Sequence, residues 1–366
     1  MLKKEKIMVV VDAPGPAEFI ETAIPLLQKK NELLVVTVNT KANAAYNVLK
    51  KYNPERCNHK EDAEKIYKDF NPDILVVAMS SLVLGPYVNN RFTELAHASG
   101  KKIICFQDFW ANHRWPMNYK MMKYWDKVLA PDKLARKFLK EDDYAGKIVI
   151  TGNPNLDRFK KLNKEKDRKW LRKKFGLTDN DFVILYVGRG TPNAWQYDEI
   201  TFEFFAKGVR KLQNEMKNKN IRVVIRPHPR DEESERYNKF SQGLNLLGTS
   251  QFPSSEDLLP LFDLIAGIQS ANHVEACYLR IPAVCILLPN AGKITMEKLS
   301  LSDFPPNIIG ANIGIYRDNT DEFVLVLKKM IEDKKFTASI QKTQKKYFPL
   351  PKTSAAKKVA EEILKG

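Results

Sequence analysis

The feature that most restricts the fold of this chain is a series of short, continuous apolar segments, rich in Val and Ile, that alternate with helical patterns from one end to the other. Residues 7–11, 33–38, 74–78, 102–106, 127–130 and 148–151 form a first series. A strand that is apolar at every position must be covered on both faces, which a parallel sheet flanked by helices provides. A Pro/Gly turn leads from the first strand into a helical stretch expected over 17–30. A second series covers 182–187, 222–225, 264–266, 283–287 and 313–316, with clear helices at 201–217 and 321–332. At 366 residues the chain exceeds one ordinary core and suits two.

The segment Thr151-Gly152-Asn153-Pro154-Asn155 separates the two series. Gly and Asn tolerate unusual dihedrals and proline stops the preceding strand, so this turn reads as a hinge. The expected architecture is therefore α/β, with two doubly wound, Rossmann-like parallel sheets in tandem. Residues 1–152 make the first domain and 153–351 the second, and an Ala-rich helix within 352–366 follows Pro351. Ligands of such halves collect at the carboxyl ends of the strands, here in a cleft where the two halves face each other.

Composition narrows the class. Hydrophobic residues make up 43% and charged residues 28%, the balance of a globular chain. No apolar stretch has the length of a bilayer span, and the N-terminus lacks a signal peptide's cleavage site, so a cytoplasmic protein is expected. Cys57, Cys105, Cys277 and Cys285 show no C-x-x-C spacing and read as buried, reduced thiols. The five histidines have no metal-ligand spacing, and no metal is expected. The net charge of +16 allows nucleic acid, an anionic membrane surface or anionic substrates as partners. No nucleic-acid module accompanies it. The densest basic run, 160–174, reads as a solvated helix face, with peripheral contact to an anionic membrane as the second reading.

In the first half, Asp12-Ala13-Pro14-Gly15-Pro16-Ala17-Glu18 follows the first strand. Gly15 lets a substrate approach the backbone of a turn that opens a helix. The turn is not G-x-G-x-x-G, so it gives no support to a dinucleotide site. Glu18 fits both a carboxylate favoured by the helix dipole and a catalytic base. Gln107-Asp108-Phe109-Trp110-Ala111-Asn112-His113-Arg114-Trp115 mixes polar and aromatic residues at another strand end. Asp108 and His113 are the acid–base candidates there, and Trp110 is a stacking face for a sugar acceptor. The alternative is an aromatic loop that seals the core. His59 and His97 read as structural.

In the second half, Gly188-Arg189-Gly190 presents Arg189 at a strand end, as a phosphate ligand or a surface turn. His228 stands between two prolines in Arg226-Pro227-His228-Pro229, where it has little freedom; it reads as a phosphate or base donor, or as a loop stiffener. Gln269-Ser270-Ala271-Asn272 opens a helix with small residues, whose free amides suit a diphosphate. Capping by Ser270 or Asn272 is compatible with that role. Glu275 is placed to accept hydrogen bonds from ribose hydroxyls.

The hinge with Asp157, the Arg-Pro-His-Pro strand end, the 263–282 block and the closing helix together resemble the two-domain GT-B glycosyltransferase superfamily over nearly the whole chain. The segment 169–177 also resembles the helix that precedes that family's second half. The resemblance implies that Arg189, His228, Ser270, Ala271 and Asn272 bind the nucleotide diphosphate, with Glu275 on the ribose. It implies an acceptor and a general base in the first half, a closing helix that returns to that half, and metal-independent chemistry without a cofactor. The expected substrates are a nucleotide-diphosphate sugar, UDP-linked by preference, and a glycan or lipid-linked acceptor of surface-polysaccharide synthesis. Gly15-Pro16-Ala17-Glu18 and His228-Pro229 are also similar to parts of the UDP-N-acetylglucosamine 2-epimerases. However, Met79-Ser80-Ser81 and Gly188-Arg189-Gly190 replace groups which that chemistry needs. The Arg-Pro-His-Pro and Gln-Ser-Ala-Asn segments are similar to CDP-glycerol glycerophosphotransferases. A binder that kept the fold and lost the base is the reading from a different class.

Overall fold

In the computed structural model the described residues are 4–38, 44–79, 88–162, 164–188, 195–227, 234–251, 256–289, 301–350 and 352–365. Two compact units share the chain. The first holds Met1–Lys160 together with Pro351–Gly366, and the second holds Lys161–Leu350.

Seven strands build the sheet of the first unit: β1 (Lys6–Val11), β2 (Glu32–Val38), β3 (Glu55–Cys57), β4 (Ile74–Ala78), β5 (Lys102–Phe106), β6 (Lys127–Ala130) and β7 (Lys147–Ile150). They run parallel in the order β3-β2-β1-β4-β5-β6-β7. The second unit has β8 (Asp181–Val187), β9 (Asn220–Arg226), β10 (Leu264–Gly267), β11 (Ala283–Ile286) and β12 (Ile313–Ile315), parallel in the order β12-β11-β10-β8-β9. Strand order reverses between β1 and β4 in one sheet and between β8 and β10 in the other. At such a switch point the connections leave in opposite directions and open a crevice at the carboxyl ends.

The described α-helices of eight or more residues are α1 (Pro14–Glu21), α2 (Lys60–Phe70), α3 (Val88–Ala98), α4 (Lys133–Glu141), α5 (Lys164–Lys174), α6 (Trp195–Glu215), α7 (Ala271–Leu279), α8 (Thr320–Glu332), α9 (Lys334–Tyr347) and α10 (Ala355–Leu364). None is long and apolar enough to cross a membrane. The helix expected over 17–30 is instead two pieces, α1 and a short turn at Ile24–Gln28. Pro25 has no amide hydrogen and its ring would clash with the carbonyl four residues earlier, so the helix stops and restarts.

The closing helix α10 is pinned within the first unit at both ends. At its start, Asp157 accepts from the Ser354 hydroxyl (2.9 Å) and from the amides of Ala355 and Ala356 (both 3.1 Å), and pairs with Lys160 (2.7 Å). At its far end the buried Lys127 ammonium donates to the Glu362 carbonyl (2.7 Å). Val359, Ala360 and Ile363 complete the apolar core around β1, β4 and α1.

Part of the basic run 160–174 is the solvated face expected of it, with Lys166, Lys169, Lys173 and Lys174 exposed, but Lys164 and Arg168 depart from that reading. Lys164 donates to the carbonyls of Leu279 and Arg280 (2.5 and 3.2 Å), the last acceptors of α7. Arg168 donates to the carbonyls of Pro260, Leu261 and Phe262 and pairs with Asp263 at 2.6 Å. Cations belong where helical segments end in unsatisfied carbonyls, and spacing along a sequence cannot reveal that such carbonyls lie opposite. Burial brings the Lys164 ammonium down to about 8.

Candidate functional site

Each unit gathers polar residues at its own switch point. In the first unit, β1 is buried along nearly its whole length and ends at Asp12, itself buried, before Pro14 starts α1. Across β4, the chain leaving β5 turns at Asp108. The two turns meet: a Cβ placed on Gly15 would lie 2.6 Å from Asp108 Oδ2. Asn112 Nδ2 donates to the other carboxylate oxygen at 3.0 Å. Loss of water around Asp108, together with the negative charge of Asp12, pushes its carboxyl up to about 7. Glu18 stands one turn into α1 and accepts from Asn155 Nδ2 (3.1 Å), whose own Oδ1 accepts from Arg158 (2.7 Å). The hinge segment is therefore tied to the turn that carries Gly15.

His113 and Trp110 take other positions than an open acceptor surface requires. His113 is fully buried, with Nε2 2.6 Å from Asp142 Oδ2 and Nδ1 3.4 Å from Gln107 Nε2. Burial lowers its pKa in spite of the Asp142 carboxylate. Trp110 is 3% exposed and its indole N–H donates to Asp132 at 2.8 Å. Both side chains build the loop, the sealing role weighed as the alternative. Sequence reading passed over Asn89, which is 5% exposed at the start of α3 with neither side-chain polar atom paired. Its signal, a polar residue near the start of a helix, is too common to single out.

In the second unit, β8 leads to Gly188, where any Cβ would strike the Tyr237 hydroxyl and lie 3.1 Å from Asp198 Oδ2. Asp198, fully buried in the first turn of α6, accepts from the hydroxyls of Tyr186 (2.8 Å) and Tyr237. This Tyr–Asp–Tyr bridge fixes the exit of β8. Arg189 and His228 lie outside the described residues.

The neighbouring strand β10 ends at Gly267, whose φ of +146° favours glycine and where any Cβ would strike the Val187 carbonyl. The chain then passes Gln269 and Ser270 into α7. Ser270 is the N-cap, yet its side chain caps no amide. It lies 3.2 Å from Nδ1 of the fully buried His273, whose Nε2 is 3.1 Å from the Val284 carbonyl. The carbonyl requires a proton on Nε2, so Nδ1 accepts and the Ser270 hydroxyl donates. Burial takes His273 down to about 4, which keeps it neutral. The Ser270 hydroxyl is thus engaged with His273 and caps none of the first-turn amides of α7. One turn on, the buried Glu275 accepts from Asn272 Nδ2 at 2.8 Å. Gln269, 9% exposed, has neither its amide nitrogen nor its oxygen paired. Buried polar atoms without partners are uncommon in folded proteins, and in the sequence Gln269 is legible only as part of a polar turn.

The family model described as CDP-Glycerol:Poly(glycerophosphate) glycerophosphotransferase matches residues 105–271. A curated relative, the UDP-N-acetylglucosamine--N-acetylmuramyl-(pentapeptide) pyrophosphoryl-undecaprenol N-acetylglucosamine transferase of Finegoldia magna, is 29% identical over 127 residues, 35% of this chain and 31% of that protein. The match thus spans about a third of that relative's length. Among solved structures, the UDP-GlcNAc 2-epimerase of Neisseria meningitidis bound to UDP-GlcNAc superposes with a TM-score of 0.64 at 15% identity, covering 99% of this chain and 100% of that one. MurG of Acinetobacter baumannii gives 0.65 at 13% identity, with 99% and 100% covered. Anabaena HepE in complex with UDP-glucose gives 0.58 at 14%, with the same coverage.

Proposed function

We propose, for a chain that has the GT-B fold, a transferase that takes an activated group from a nucleotide-diphosphate donor and passes it to a glycan or lipid-linked acceptor. A sugar from a UDP-sugar is the first reading. The observation that carries it is the start of α7, where Ser270 turns away from the first-turn amides and the buried Gln269 stands unpartnered beside them. Amides at a helix N-terminus stabilise the charge that grows on a departing diphosphate, and they do so without reorganising. Arg189 and His228 would add cationic and hydrogen-bonding groups, Glu275 would hold the ribose, and no metal ion is required. In the first unit, a carboxyl held near neutrality suits Asp108 to remove a proton from an acceptor hydroxyl.

The second reading is glycerophosphotransfer from CDP-glycerol, favoured by the family match over 105–271, which takes in both Asp108 and Ser270. The donor's pyrophosphate bond then breaks and CMP leaves. Sugar 2-epimerisation stands third, since Met79-Ser80-Ser81 and Gly188-Arg189-Gly190 lack the groups it needs.

Incubation of the protein with UDP-sugars and with CDP-glycerol, in the presence of a chelator and candidate acceptors, separates these reactions. Free UDP identifies glycosyl transfer, CMP identifies glycerophosphotransfer, and an altered sugar still joined to UDP identifies epimerisation. A nucleotide-dependent rise in melting temperature with no product from any donor would leave a binding protein and refute the transferase.

A further inference from the structure

The first unit carries a second concave feature, a groove of about 480 Å³ lined by Lys133, Arg136, Lys137, Lys140, Glu141 and Ile150. The four cations occupy positions i, i+3, i+4 and i+7 of α4, one face of the helix, and all four are exposed. The opposite face, with Ala135, Phe138 and Leu139, is buried. Ile150, the last residue of the edge strand β7, contributes the apolar part of the lining.

This arrangement works against the helix that carries it. Four like-charge pairs stand at i,i+3 or i,i+4 spacing: Lys133 with Arg136 and Lys137, and Lys140 with both. Each opposes helix formation, and Lys133 at the first helical position faces the positive end of the dipole. Asp132 at the N-cap offsets part of this by accepting from the Ala135 amide at 2.8 Å. Glu141 is the groove's single carboxylate and is within 4 Å of Lys137 and of Arg114. Among the described residues, Lys133, Arg136 and Lys140 have no acidic partner, in contrast to Lys164 and Arg168 of the denser basic run, which are bound to carbonyls and to Asp263.

We propose that this groove binds a linear polyanion with repeating phosphates, and that it guides the acceptor of the transferase inferred above, on which reading that acceptor role rests. The cations recur over two helical turns, a span of roughly 10 Å, so they meet successive charges along a chain. A flat anionic bilayer fits less well, because the cations lie in single file along one helix face and Ile150 is the one apolar residue of the lining that could enter a membrane. Lys133 and Ile150 sit at the carboxyl end of the sheet, the same end as Gly15 and Asp108, and α4 runs from there toward the opposite end. A bound chain therefore has a path along the side of the unit.

The test compares three proteins: wild type, Lys133→Glu/Arg136→Glu/Lys140→Glu, and a control of equal charge on another exposed helix, Lys60→Glu/Lys65→Glu/Lys68→Glu. Binding of medium-chain inorganic polyphosphate is measured over a salt series, beside binding to vesicles of phosphatidylglycerol and melting shifts with UDP and CDP. The α4 variant is expected to lose about tenfold or more in polyphosphate affinity, with a log–log salt slope shallower by roughly 2 for three lost phosphate contacts, while the control keeps the wild-type values. Equal loss in both variants, no polyphosphate binding by wild type, or capture of vesicles alone overturns the groove. Absence of any nucleotide shift in all three proteins speaks against the donor reading and leaves the polyphosphate comparison to be judged by itself.

Discussion

Asp108 Oδ2 occupies the space that a side chain on Gly15 would need, 2.6 Å from where its Cβ would stand. Gly15 is required here for close approach to a carboxylate delivered by another strand. Replacing it with alanine should push the carboxylate aside while both turns stay folded. Misplacing a reacting group by about 1 Å costs on the order of 100-fold in rate, so Gly15→Ala should lower kcat by roughly tenfold to a hundredfold. Nucleotide affinity, measured by calorimetry, should not move. An unchanged kcat would remove Asp108 from the chemistry.

The Asp108 carboxyl also ties stability to pH. Its folded value of about 7 lies above the ordinary 3.8, so the folded protein holds a proton that the unfolded chain has released. That stabilising difference is complete below the ordinary value and disappears as pH rises through about 7. Wild type should therefore lose on the order of 2 kcal/mol over this window relative to Asp108→Asn, after allowance for partial exposure. Denaturant unfolding at several pH values measures it. Parallel pH profiles for the two proteins would show that Asp108 titrates as an ordinary carboxyl.

The main-chain character of the proposed phosphate site allows an unusual substitution. Ala271 is the first residue of α7, and Ser270 before it is extended, with φ −149° and ψ 168°. An extended Ser270 tolerates a following proline and the first helical position suits one, so the change removes one amide hydrogen and leaves the helix intact. Ala271→Pro should retain the wild-type melting temperature within a few degrees and weaken UDP or CDP binding by about tenfold, the worth of one charge-assisted bond. Ser270→Ala should have a smaller effect on binding, because that hydroxyl is directed to His273. Isothermal titration of the two variants decides the order, and the reverse ranking would return the phosphate to the serine.

Asp157 should be a stability residue. It receives three donors from the start of α10 and pairs with Lys160. Asp157→Ala removes an N-terminal cap and leaves donors unsatisfied, at a cost of about 1–3 kcal/mol. Hydrogen exchange should show faster opening across 355–364 while α7 keeps its protection. Uniform loosening of the whole chain would contradict so local a role.

The strands were legible because each is a run of apolar, β-branched residues that only a doubly covered sheet accommodates. β3 was missed: Glu-Arg-Cys has no apolar run, and it is a strand because β2 offers it an edge through Val36–Val38. Asp108 was singled out from its place after a strand. Its contact with Gly15 depends on β1 and β5 flanking β4, an arrangement no local pattern encodes. His113 and Trp110 shared the signal of Asp108, but their partners, Asp142 and Asp132, lie more than twenty residues away at the C-cap and the N-cap of α4. Charge spacing likewise made all of 160–174 resemble a wet surface, whereas Lys164 and Arg168 serve carbonyls of segments far downstream. Arg189 and His228 fall outside the described residues.

Because α10 belongs to the first unit, that unit is assembled from both ends of the polypeptide. A ribosome making this chain must complete Lys161–Leu350 before Val359, Ala360 and Ile363 exist to fill their places beside β1 and α1. Throughout that interval the nascent amino-terminal sheet carries an open apolar slot, which favours chaperone engagement over early, independent folding.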